Sequence, residues 1–122
     1  ETLDDVVVGL AFKAFSNLAA NPKLHKHINK KVLVTKFISS LAYNKNAELA
    51  YYSLIGLLNL AVNVEACNLM HHSKITLKLA DLHRNNKHLS IKYGSNLFVI
   101  LQNTWTEDQI CFLFDEIIEL LT

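Results

Sequence analysis

The stretch Asn-Leu-Ala-Ala-Asn at Asn17–Asn21 returns as Asn-Leu-Ala-Val-Asn at Asn59–Asn63, 42 residues later. The echo extends well beyond five residues. The same displacement carries Val7 onto Leu49, Phe12 onto Leu54, Ala14 onto Gly56, Phe15 onto Leu57 and Leu18 onto Leu60. It also carries Leu24 onto Ala66, Ile28 onto Met70, Leu33 onto Ile75 and Phe37 onto Leu79. A period in the low forties implies a supersecondary unit that cannot bury its apolar side alone and packs against copies of itself.

The apolar spacing within each unit is helical. Val7, Ala11, Phe12, Ala14, Phe15 and Leu18 recur every three or four residues, which predicts one apolar stripe on a helix over Leu3–Ala20. Asp4 and Asp5 suit its positive amino end. Asn21-Pro22 breaks it, since proline disfavours helical geometry in the residue before it and fits the first turn of the next helix. A short helix from Lys23 would place Leu24, Ile28 and Val32 on one face, and another near Leu33–Ala42 would offer Leu33, Phe37, Ile38 and Leu41. The unit then restarts with a long helix over Ala47–Val62. A weaker copy over Lys87–Thr104 follows at a displacement of 43, taking Leu54 to Leu97, Leu57 to Ile100 and Asn59 to Gln102. Thr106 and Gln109 have capping-box spacing and open a last amphipathic helix through Leu121. Only three glycines and one proline are present, too few for the tight turns of a sheet protein.

One helix of each unit is short and two are longer, and this pattern resembles the armadillo repeat, with HEAT repeats as the near relative. The segments Ala14–Asn21 and Gly56–Asn63 carry the likeness, which covers nearly the whole chain. It implies an all-α, right-handed superhelical stack of about two and a half repeats in one domain, 1–122, with units near 1–44, 45–86 and 87–122. The chain is expected to be a segment of a longer protein, since it opens on Glu1 with no leader.

The same resemblance implies a non-catalytic scaffold whose third helices line a groove for a peptide or helix of a partner protein. Asn17 and Asn59 fall where peptide-binding armadillo proteins carry an asparagine ladder, able to donate to and accept from a ligand backbone. Gln102 continues the row, Lys13, Ile55 and Phe98 lie one turn earlier, and Tyr52 extends the face. An alternative for these asparagines is that each caps or bridges a neighbouring loop. The tryptophan that nuclear-import receptors of the family place four residues before the asparagine is replaced here by Lys13 and Ile55, so that type of site is not expected.

Charge suggests a second surface. All twelve Lys and Arg lie between Lys13 and Lys92, opposed there by Glu48, Glu65 and Asp81, and both flanking segments are acidic. Lys23, Lys26, Lys30, Lys74 and Lys78 could form a basic face for nucleic acid or another acidic partner. Arg84 is the only arginine, and no aromatic residues interleave with these lysines, which weakens that alternative. The apolar fraction of 51% is high, and the last helix mixes apolar residues over most of its circumference. Phe112, Phe114, Ile118 and Leu121 are therefore candidates for self-association or for docking to the rest of a longer chain.

Other chemistry finds little footing. The six histidines show no zinc-ligand spacing and are expected on the surface, so no metal or other cofactor is expected. Cys67 and Cys111 read as core residues. No phosphate loop or nucleophile motif occurs, and no apolar run is long enough to span a membrane. Two cysteines without Cys-x-x-Cys spacing fit a reducing intracellular setting, cytoplasmic or nuclear.

Overall fold

The computed structural model describes residues 3–41, 47–103, 115, 118, 119 and 121, with Leu3 and Gln102 described by their backbone alone. The described residues are all-helical and include no strand. Helix α1 (Leu3–Ala19) leads to a 3-10 turn at Pro22–His27, followed by α2 (Lys30–Ser40), α3 (Ala47–Leu60), α4 (Val64–His72) and α5 (Ile75–Asn85). A short α6 (Lys87–Leu89) runs through a π-helical turn (Ser90–Gly94) into α7 (Ser95–Gln102). Helix α3 packs on both α1 and α2, and α2 in turn lies on α4 and touches α5. Among the described residues no helix is long and apolar enough to cross a membrane.

Positions 42 residues apart perform the same local work. Asn21 Oδ1 accepts from Lys23 N and Asn63 Oδ1 accepts from Ala66 N, so each asparagine caps the start of the next helical segment. The carbonyls of Ala19 and Ala61, at the ends of α1 and just past α3, are each closed by a side chain six residues on. His25 Nε2–H donates to Ala19 at 2.7 Å, and the Cys67 thiol donates to Ala61 at 3.0 Å. These bonds satisfy carbonyls that a helix end leaves without an internal partner.

The core runs between α2, α3, α4, α5 and α7, with Phe37, Leu54, Leu57, Leu60, Met70, Leu82, Leu97 and Leu101 fully enclosed. Phe37 is held edge-on by Phe12 at 5.6 Å and presses into the notch left by Gly56. Cys67 is buried, as expected, while Cys111 lies outside the described residues.

Several expectations are corrected. Val7, Phe15 and Leu18, expected on the buried stripe of the first helix, are exposed, and the sides of α1 that close inward carry Ser16 and Ala19. Val32 does not extend the helix begun at Lys23. The chain leaves the 3-10 turn at Ile28, Asn29 caps α2 by accepting from Val32 N, and Val32 stands exposed on that new helix. His25 and His71 are buried instead of solvated. The displacement of 43 holds at Leu97, which like Leu54 is 0% exposed, and fails beyond it, where Leu101 is 0% exposed and Ile100, the expected counterpart of Leu57, is 39% exposed. A π-helical turn at Ser90–Gly94 precedes this helix, and the inward face of α7 runs through Leu97 and Leu101 at a spacing of four residues.

Candidate binding surfaces

The residues expected to line a third-helix groove are only partly gathered. Lys13 and Tyr52 share a shallow recess of about 280 Å³ between α1 and α3, with Asp5 and Glu48 at its edge and Gly9 and Leu10 beside them. Tyr52 stacks edge-on against Tyr51, which meets Tyr93 at 5.5 Å, with Lys92 5.3 Å from the Tyr93 ring. The Tyr93 phenol and burial together raise the pKa of Tyr51. Ile55 is half-buried, and Phe98 is partly buried against the core.

Asn59 is not presented to a ligand through its amide nitrogen. Its Nδ2 donates to the Ser16 carbonyl at 3.0 Å, tying α3 to α1 across 43 residues of sequence. The bond runs to a residue inside α1 and not to a loop adjoining Asn59. Asn17 is exposed on α1, and the side chain of Gln102 lies outside the described residues. Of the self-association candidates, Ile118 and Leu121 are exposed, whereas Phe112 and Phe114 lie outside the described residues.

The basic face is partly neutralised within the chain. Lys30 reaches Glu65 at 3.5 Å and is mostly covered, and Lys74 reaches Glu119 at 3.8 Å. Lys23 and Lys26 are exposed, and Lys78 is half-buried. Among the described residues no group of three or more histidine, cysteine or acidic side chains converges as a metal site would require.

A larger concavity lies elsewhere, between α1, the 3-10 turn and α2. It has a volume of about 860 Å³ and a mainly apolar wall that includes Val8, Phe12, Phe15, Leu18, Ile28 and Val32, with His27, Asn29 and Lys36 as its polar members. Phe15 and Leu18 are 43% and 48% exposed there, a large apolar area to leave facing water on a small domain. Periodicity alone could not mark this groove, since a helical stripe reads the same whether it faces a core or an open trough. No family model, curated protein or solved structure matches this chain.

Proposed function

We propose that the chain is a non-catalytic interaction scaffold of armadillo-like repeats, working inside the cell, that receives a segment of a partner protein in the apolar trough between α1 and α2. The observation that carries this reading is the trough itself. Its size falls within the range of ligand-binding clefts, its wall is apolar, and its polar members are few. The recess at Lys13 and Tyr52 is about one third of that volume, and the Asn59 amide nitrogen beside the third helices is already engaged by Ser16. A partner is therefore better seated on the flank of α1 and α2 than across the third helices.

The test is a paired substitution, Leu18→Glu with Val32→Glu. Both side chains are about half exposed, so helicity by circular dichroism should be retained. Partner proteins captured by the unaltered chain from an intracellular extract should be lost with the double variant. Capture that persists undiminished would remove the trough from consideration.

A further inference from the structure

We propose that the trough accepts an amphipathic α-helix of a partner protein, in the pose that α2 adopts one unit further along, and that this helix carries an acidic residue where α2 has Lys30. The proposal rests on the trough being the binding surface and names what fills it.

The chain contains a filled counterpart of the trough. Moving its lining forward by 42 residues takes Val8 to Ala50, Phe15 to Leu57, Leu18 to Leu60, Leu24 to Ala66, Ile28 to Met70 and Leu33 to Ile75. Every one of these six counterparts is buried, and Leu57 and Leu60 are 0% exposed. What lies over them is α2, packed on α3 and α4 and touching α5. Those three elements are the counterparts of α1, the 3-10 turn and α2, which wall the open trough. The same wall therefore occurs twice, once covered by a helix and once, among the described residues, bare.

The covered copy defines the occupant. Helix α2 buries Val34, Phe37 and Ile38, with Leu41 buried at its end, a spacing of three and four residues that presents one apolar face. Lys30, one turn before Val34, reaches Glu65 on α4. The counterpart of Glu65 is the exposed Lys23, so the sign of the contact is reversed at the open trough. A helix docked there would bring its own Asp or Glu to Lys23, and a lysine at that place would be repelled. One steric difference adds to this. Phe37 fits because Gly56 has no side chain, and a methyl group there would come within 3.0 Å of the ring. The counterpart of Gly56 is Ala14, which has that methyl. The occupant accordingly has an aliphatic side chain in place of Phe37. Its signature is an acidic residue followed by aliphatic residues four, seven, eight and eleven positions later.

Two labelled peptides test this on the full 122-residue chain. One has the sequence Asn29–Leu41 with Thr35→Glu as its sole change, and the other carries Lys30→Glu and Phe37→Leu as well. Both are held helical by a lactam between the Lys31 amine and the carboxylate introduced at position 35, two positions that are exposed in α2. Fluorescence anisotropy should show the altered peptide binding at least about tenfold more tightly. Its amide chemical-shift changes should fall on Phe15, Leu18 and Val32, and Lys23→Glu in the chain should reverse the order of the two peptides. Equal binding of both peptides at the trough would overturn the charge-coded helix and leave the trough as a binding surface. Absence of binding by either peptide would overturn the helix as occupant, whereas the trough itself stands or falls on the Leu18→Glu, Val32→Glu capture experiment. Dimerisation of the chain abolished by that same double variant would assign the trough to a second copy and also overturn the proposal.

Discussion

Gly56 and His71 show how single residues set tolerances in this core. Phe37 has no exposure and is fixed by Phe12, so it cannot move aside for a larger neighbour. Gly56→Ala should therefore cost about 1–3 kcal/mol through overpacking, even though alanine is the better helix former, and urea denaturation would measure the loss. His71 is buried, and its pKa is lowered from 6.5 to about 4, chiefly by that burial and further by the neighbouring His72. The folded state thus favours neutral imidazole, while the unfolded chain takes up a proton near pH 6.5. The contribution is fully present above that pH, is lost as pH falls from about 6.5 towards 4, and levels off below. Allowing for solvent screening, it amounts to about 1–2 kcal/mol. Comparing urea midpoints at pH 7 and pH 4.5 should show a smaller fall in His71→Asn, which carries the residue found at the matching position 29. The sequence could not announce this burial, because a histidine in a polar-looking His-His pair reads as solvated until the packing around it is known.

At the scale of elements, the helices themselves were legible and their environments less so. Asn21-Pro22 marked a helix start correctly, because proline geometry is a local effect, whereas the capping of α4 by Asn63 emerges from the structure. The stripe on α1 was equally visible, but whether it faces a core depends on which helices lie beside it. The π turn was hidden for a different reason. Nothing in Ser90–Gly94 distinguishes a wider turn from an ordinary one, and the helix after it buries Leu101, four residues past Leu97, where the displacement pointed to Ile100. Leu101→Ala should consequently destabilise by about 2–4 kcal/mol and Ile100→Ala by about 1, measured side by side by thermal or urea denaturation. The opposite order would restore the simple displacement of 43. The candidate site was the least legible part: Lys13 and Tyr52 do share a recess, but the trough depends on an absence of cover that no residue pattern encodes.

For the whole molecule, cover is uneven from one end to the other. Helix α3 is enclosed by α1, α2 and α7, whereas α1 leaves Val6, Val7, Val8, Leu10, Phe15 and Leu18 exposed. Opening α1 exposes less new apolar surface than opening α3, so native-state hydrogen exchange should be graded. Amides of α3 should exchange only at the global unfolding limit, with α1 at least about tenfold faster; uniform protection would contradict the gradient. A helix seated in the trough should slow α1 selectively. The paired bonds from His25 to Ala19 and from Cys67 to Ala61 bear on what a helix end demands. One slot is filled by an imidazole and its copy by a thiol, so the demand is for a donor at a fixed distance and not for a residue type. A chain that kept the donor could change the letter at that place and still close the helix end, and a repeat of this kind would be recognised by its bonds where its spelling had diverged.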